Sequence, residues 1–405
     1  MVRRRHKGTN KSSSARRRVV DLYSGIGGLG LGAARAGFEL ALSVDKDPIL
    51  AKTHSVNFPA SPHLEGDVSR LTGAELLEAA NLKEGELSGV IGGSPCQGFS
   101  RIGRRNQADE RNQLFIHFFR LVSELRPSFY LIENVQGILD AQNEAVVSRA
   151  LSLIPEDYVV LEPFELNASD FGAATNRKRI FFFGYIADKC GGLSQVDFEN
   201  AKWKEKSNVG EALTGLPRKI KKEWYKDDKG WRRLSVRMNG SFGEKFYGHI
   251  PEGVGDPETI EKLVEKDLVS GCIFTDHTSE VEKRFSTVVQ GKSDLVSRMP
   301  RLKKSGLCPT LRAGTGSDKG SYMALRPIHF SEPRVITPRE AARLQGFPDW
   351  FRFHKTKWHA FRGIGNSVSP FVAEAIFKVI FAKLKPVEMK EVTNGNREKT
   401  GTYNP

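Results

Sequence analysis

Val19-Val20-Asp21-Leu22-Tyr23-Ser24-Gly25-Ile26-Gly27-Gly28-Leu29-Gly30-Leu31-Gly32 is the stretch on which the fold turns. Val19–Tyr23 is short, apolar and β-branched at its start, the pattern of a buried strand. It opens into a run of glycines, after which Leu29–Ala36 carries helical spacing. A strand, a Gly-rich turn and a helix in that order leave backbone N–H groups at a helix N-terminus, where the absence of side chains lets a ligand approach. Dinucleotide and S-adenosylmethionine sites share this arrangement, and close helix–sheet packing alone also uses it.

The same alternation continues outward. Glu39–Val44 reads as a second strand ending at Asp45, with a helix from Pro48 to about Val56. Val90-Ile91 and Phe129–Ile132 read as further buried strands, the latter preceded by a helix over Gln113–Leu125. Tyr158–Leu166 and Lys178–Tyr185 fit a terminal antiparallel pair. Alternation of this kind predicts an α/β domain with a mostly parallel sheet covered on both faces. Helical patterning returns at Thr337–Leu344, with Thr337 as cap and Pro338 at the first helical position, and again at Pro370–Leu384.

Chemistry-bearing residues collect at predicted strand ends. Gly92-Gly93-Ser94-Pro95-Cys96-Gln97-Gly98 sets a cysteine in a Pro/Gly turn after Val90-Ile91, which presents the thiol instead of burying it. Such a Cys96 is a candidate nucleophile. Asp45 lies about 20 residues beyond the glycines, where a carboxylate can accept ribose hydroxyls. Asp67 could accept from an adenine amino group or serve as a loop cap. Glu133 ends Phe129–Ile132, on the sheet edge where open α/β sheets bind ligands. Arg177 and Arg179 fall on one face of the next strand, suited to a phosphate or a polarised carbonyl oxygen.

The chain has 405 residues, enough for two or three domains, and a net charge of +14. Eight Lys or Arg and no acid fall within residues 1–18, more than half of that net charge. They read as a disordered arm, either touching nucleic acid nonspecifically or simply solvated. From Asn200 to Gly240 there are twelve Lys/Arg against five acids, interleaved with Trp203, Trp224, Tyr225 and Trp231. Poor periodicity there predicts an irregular second domain. Cys96, Cys190, Cys272 and Cys308 are far apart, with no ligand spacing, so neither a zinc site nor a disulfide framework is expected. No apolar run approaches a membrane span and no signal peptide is expected, which favours the cytoplasm.

Together these segments resemble the C5-cytosine DNA methyltransferase family. The match spans most of Val19–Leu384 outside the central variable stretch, with six blocks in the family's order. They are Asp21–Gly28, Pro95-Cys96-Gln97, Glu133-Asn134-Val135, Arg177-Lys178-Arg179, Arg339–Pro348 and Gly365-Asn366-Ser367-Val368. The resemblance implies a doubly wound α/β S-adenosylmethionine-dependent methyltransferase fold with an inserted irregular target-recognition domain. It implies an arm at 1–18, a catalytic and cofactor-binding domain at 19–186, target recognition at 187–332, a return segment at 333–385 and a loose tail at 386–405.

The mechanism implied is covalent. Cys96 adds to C6 of a flipped cytosine, Glu133 bonds N3 and the exocyclic amine, Arg179 holds O2 and Arg177 supports the site. S-adenosyl-L-methionine would be held by Tyr23, Gly25, Gly27, Gly28, Asp45, Asp67, Val68, Pro95, Asn366, Ser367 and Val368. Gln97, Ser100, Arg101, Arg104 and Arg105 would contact double-stranded DNA from a lid over Gln97–Asn112. The resemblance further implies a monomer in a bacterial or archaeal cell, no metal, and in many relatives a separate restriction endonuclease. Two positions depart from the family pattern: Thr175 where Gln is usual and Asn112 where Gly is usual. An RNA-methylating relative is disfavoured by the long basic insert. A nicotinamide dehydrogenase leaves Pro95-Cys96-Gln97 and Asn366-Ser367 unexplained, and a silent DNA-binding adaptor leaves the catalytic set unexplained.

Overall fold

A computed structural model describes residues 16–95, 99, 111–220, 230–313 and 324–385. The first half alternates as the apolar pattern predicts: β1 (Arg18–Leu22), α1 (Gly28–Arg35), β2 (Glu39–Asp45), α2 (Pro48–Asn57), β3 (His63–Glu65), α3 (Gly73–Ala79), β4 (Gly89–Gly93), α4 (Arg111–Leu125) and β5 (Phe129–Asn134). Then come α5 (Glu144–Leu151), β6 (Tyr158–Val160), β7 (Phe164–Asn167), β8 (Thr175–Asn176) and β9 (Lys178–Ile186). The main sheet runs β3-β2-β1-β4-β5-β9-β6, with β7 also pairing β9. Pairing is parallel from β3 to β5 and antiparallel at β9. Tyr158–Leu166, expected as one strand, is two, broken around Pro163, which cannot donate to a ladder.

Both faces of the sheet are buried. Phe115, Phe118, Phe119 and Val122 of α4 cover Tyr130, Ile132 and Phe182 on one side. On the other, α1 lies against the last described helix so closely that a Cβ on Gly32 would sit 2.3 Å from Ala373 Cβ. Only glycine permits that crossing, so the return segment is part of the first domain's wall.

Between these parts run α6 (Gln195–Asn200), α7 (Val209–Ala212), β10 (Arg232–Arg233), α8 (Gly240–Tyr247), α9 (Pro257–Lys266), β11 (Leu268–Val269), α10 (Ser279–Thr287) and β12 (Cys308–Pro309). The return holds α11 (Pro338–Gln345), α12 (Lys357–Asn366) and α13 (Pro370–Lys383). By composition Lys357–Lys383 could cross a membrane, but 61% of its most apolar window is buried, and Ser367–Ser369 separates its two helices.

Arg17 and Arg18, expected in a disordered arm, belong to the folded body. Arg18 begins β1 and pairs with Glu39, and the Arg17 guanidinium lies over the Phe381 ring and donates to the Leu384 carbonyl at 2.6 Å. Sheet pairing and backbone carbonyls thus draw these two cations into the body.

α11 is buried along its whole length. Thr337 caps it through a capping box with Glu340, as its sequence predicts. Glu340 also takes two bonds from Arg334, at 2.8 and 2.9 Å. Burial pushes the Glu340 carboxyl up, but Arg334 and the Thr337 N–H outweigh it and hold it down to about 2. Glu340 therefore stabilises the fold above its ordinary value near 4.5, and that contribution fades as pH falls towards 2. Glu340→Ala is expected to lower unfolding free energy by about 3–5 kcal/mol at neutral pH by stranding Arg334. In urea titrations the gap from the parent should narrow between those two pH values.

Candidate active site

The C-terminal ends of β1, β2, β4 and β5 open onto one cavity of about 500 Å³, closed on the far side by the α12–α13 junction. Its floor is the glycine turn. Gly25 has φ +56° and its N–H donates to Asp45 Oδ2 at 2.8 Å, while the Asp47 N–H donates to Asp45 Oδ1 at 2.8 Å. Asp45 thus pins the turn to the end of β2 and still faces the cavity. Burial raises its pKa against the opposing pull of those two N–H groups. A Cβ on Gly28 would lie 2.0 Å from Ser367 Oγ and 2.4 Å from the Val368 carbonyl, so glycine is what lets the return segment close the wall.

Tyr23, Gly25, Gly28, Asp45, Asp67, Val68, Pro95, Asn366, Ser367 and Val368 all line this cavity. Gly27, expected among the cofactor contacts, is not among the residues that line it. With φ +93° it caps α1, and a Cβ there would strike His54 of α2 and Phe58 just past its end. Asp67 accepts from the Ser69 hydroxyl at 2.7 Å, which holds its carboxyl below the usual range, so it is a loop cap that also faces the cavity. Asp21, also on the wall, is buried with Oδ2 unpartnered among the described residues. Burial, with Asp45 nearby, pushes its pKa well up.

Glu133, next to last in β5, lies opposite Gly93 of β4 and is 7% exposed. Arg179 Nε of β9 lies 2.6 Å from Glu133 Oε1, an ion pair on the cavity wall. Arg177 lines the same cavity, as the strand period predicts, but its guanidinium is engaged with backbone: Nη1 donates to the Gly365 carbonyl at 3.0 Å and to Leu311 at 3.4 Å. Thr175 is buried, and its hydroxyl donates to the Cys308 carbonyl at 3.1 Å beside the β8–β12 pairing. A short hydroxyl therefore does reach backbone where Gln is usual.

Cys96, Gln97, Ser100, Arg101, Arg104 and Arg105 fall outside the described residues, as does the Asn112 side chain. Pro95, the residue before Cys96, lies on the cavity wall, with Ser94 bonded to Asn134 at 3.0 Å.

Of the charged lining groups, Asp21, Lys46, Asp47 and Arg362 were not anticipated. Asp47 caps α2 and pairs with Arg362 of α12, closing the rim between first domain and return segment. Burial opposes ionisation of Asp47, but the Leu50 N–H and Arg362 hold its pKa down. Asp47-Pro48 is a legible cap signal, whereas nothing local to Arg362 announces its partner 315 residues away. Lys46, beside Asp67 at 3.6 Å, completes the set.

The sequence pattern of the C-5 cytosine-specific DNA methylase family matches residues 17–382. The chain belongs to that family. It is therefore a DNA methyltransferase acting at cytosine C5. It is 38% identical over 379 residues to the Type II methyltransferase M.XorII of Xanthomonas oryzae, covering 91% of this chain and 87% of the relative. M.AgeI of Thalassovita gelatinovora is 26% identical, over 90% of this chain and 99% of its own. Among solved structures, a protein provisionally assigned as a DNA modification methyltransferase and encoded within an E. coli prophage superposes with TM-score 0.81. The two are 45% identical, with 91% of this chain and 99% of that one covered. The S. pombe Dnmt2 methyltransferase shares the fold at TM-score 0.58 and 17% identity, over 91% and 98% of the two chains.

Because Asp45 is both a cavity acceptor and the clip on Gly25, Asp45→Ala is expected to weaken S-adenosylmethionine binding by about 1.5–3 kcal/mol. Isothermal calorimetry checks this, and unchanged affinity would move the ribose contact elsewhere.

Proposed function

We propose that this methyltransferase acts on a cytosine flipped out of a short specific sequence in duplex DNA, through a covalent Cys96 adduct. The observation that carries the proposal is the Glu133–Arg179 pair at the edge of β5 and β9. It shares one cavity with Pro95, the neighbour of Cys96, and with the glycine turn. An acid, a guanidinium and the approach to a thiol thus meet on one sheet edge.

The cavity suits a cationic, nucleoside-bearing methyl donor. Asp45 offers a carboxylate at a strand end, Asp21 stands buried on the same wall, and Gly25 and Gly28 give an approach free of side chains. Tyr23, Asp67, Val68, Pro95 and Asn366–Val368 would form the remaining walls. When bound, S-adenosylmethionine supplies an electrophilic methyl group.

The protein's own residues act on the base. Cys96 thiolate adds to C6 and makes C5 nucleophilic, and loss of the C5 proton after methylation expels the thiolate. Glu133 bonds N3 and the exocyclic amine where negative charge develops. Arg179 holds Glu133 in place and reaches O2. Arg177, bonded to Gly365 and Leu311, fixes the strand that carries Arg179. Gln97, Ser100, Arg101, Arg104 and Arg105 would grip phosphates around the extruded base. The basic insert over residues 187–332 would carry sequence choice, which favours DNA over RNA as substrate. A monomer in a bacterial or archaeal cytoplasm, with a separately acting restriction endonuclease, accords with the Type II names of its relatives.

With 5-fluorocytosine at the target, methyl transfer can proceed but fluorine cannot leave as a proton does. The enzyme should remain joined to DNA through Cys96, only when S-adenosylmethionine is supplied. Peptide mapping identifies the residue, and an adduct on Cys190, Cys272 or Cys308 would overturn the mechanism. Glu133→Gln should cut methylation by about 10²–10⁴-fold with cofactor affinity nearly unchanged. Exchanging residues ~190–325 for a relative's insert should move the methylated sequence to the donor's. Bisulfite sequencing reads that outcome, and an active chimera keeping the original site would put specificity elsewhere.

A further inference from the structure

The insert holds a braced hairpin whose tip is apolar and open to solvent. Its base is closed by Gly291 N–H to the Arg301 carbonyl (2.8 Å), Arg301 N–H to Lys292 (2.8 Å) and an antiparallel bridge between Ser293 and Pro300. Asp294 sits inside it at 2% exposure, accepting from the Ser297 N–H and hydroxyl at 2.6 Å each and from Arg284 Nε at 2.9 Å. Arg301, also buried, ties the base to the Phe285, Ser286 and Val288 carbonyls at the end of α10. Against that rigid frame Leu295 is 96% and Val296 71% exposed. Two adjacent, fully presented apolar side chains on a braced turn are costly in water unless something covers them.

Charge and position say what covers them. Residues 283–304 contain seven Lys/Arg and one acid, and that acid, Asp294, is buried against Arg284. Lys292 and Arg298 flank the tip and are exposed. Arg301 is seven positions from Cys308, whose strand pairs with β8 next to Arg177. A chain that short spans at most about 25 Å, so the hairpin base lies within reach of a duplex whose base is in the cavity. A two-stranded ribbon fits the major groove, and there the only apolar feature of a base edge is the thymine methyl.

We propose that this hairpin reads the DNA major groove, with Leu295 and Val296 against thymine methyl groups, while Lys292 and Arg298 contact the flanking phosphates. The proposal rests on duplex DNA being the substrate and deepens that assignment. It requires the recognised sequence, or its immediate flank, to contain an A·T pair.

The test uses the full-length protein and a duplex carrying the site mapped by bisulfite sequencing, compared with duplexes in which deoxyuridine replaces each thymidine in turn. Removing the responsible methyl should weaken binding by the parent about fourfold or more at fixed salt. The Leu295→Ala/Val296→Ala variant should bind the thymidine duplex about tenfold more weakly and lose its discrimination against uridine. Its unfolding midpoint and S-adenosylmethionine affinity should match the parent's, since the tip buries nothing; Leu295→Ser alone serves should the double variant fold poorly. Equal binding of thymidine and uridine duplexes by the parent, or retained discrimination by the variant, overturns the proposal. So does a change in oligomeric mass without a change in DNA binding, which would mark the tip as a contact between copies. A parent that methylates no duplex DNA sinks the proposed function too, whereas a working parent with an indifferent tip sinks this inference alone.

Discussion

Arg339 and Arg343 lie on one buried turn of α11, each wholly shielded from water, and a buried guanidinium is tolerated only when its donors are taken up. Asp349 accepts from both Nε and Nη2 of Arg343, at 2.8 and 2.5 Å, the Tyr247 and Ser270 hydroxyls accept one further bond each, and the other bonds go to backbone carbonyls. Arg343 binds the Thr214 carbonyl at 2.6 Å, and Arg339 binds Ser270 at 2.7 Å and Phe351 at 2.8 Å. The insert has little regular structure of its own to satisfy such groups, so its chain is folded around the return segment's charges. Losing that hub would leave several strands of irregular chain without a common anchor.

The same economy of contacts sets the catalytic edge. β1, β2, β4 and β5 run parallel, so their C-terminal ends converge on one rim. β9 enters antiparallel and delivers Arg179 to Glu133 from the opposite direction. The cavity is then closed by residues from the other end of the chain, through the Gly28–Ser367 contact and the Asp47–Arg362 pair. The cavity wall and the insert are mechanically continuous, since Arg177 bonds at once to Gly365 and to Leu311 just past β12.

That continuity bears on how a sequence-reading insert communicates with chemistry. A hairpin held by Asp294 and Arg301 leads within a few residues to the strand beside Arg177. Groove contact at one end and base capture at the other are therefore linked by short, hydrogen-bonded chain with no long flexible linker between Arg301 and Cys308.

Much of this was legible in the residues. Strand periodicity, the Gly-rich turn, the Thr337-Pro338 cap and the acids at strand ends are local signals, and local physics honours them: β1, β2, β5, α11 and α13 fall within a residue or two of expectation. Tertiary contact decided the rest. Gly27 carries the same sequence signal as Gly25 and Gly28, yet α2 packs on it and it is not among the residues that line the cavity. Arg17 and Arg18 look like tail until Phe381 and Glu39 engage them. Arg362 and Arg177 find partners more than a hundred residues away, which no spacing encodes. The sequence by itself determined which residue types stand at strand ends and turns, because backbone preference and apolar period act over a few residues. Only the tertiary structure decided which of them share a cavity, because that depends on long-range packing and on where buried charges find their acceptors.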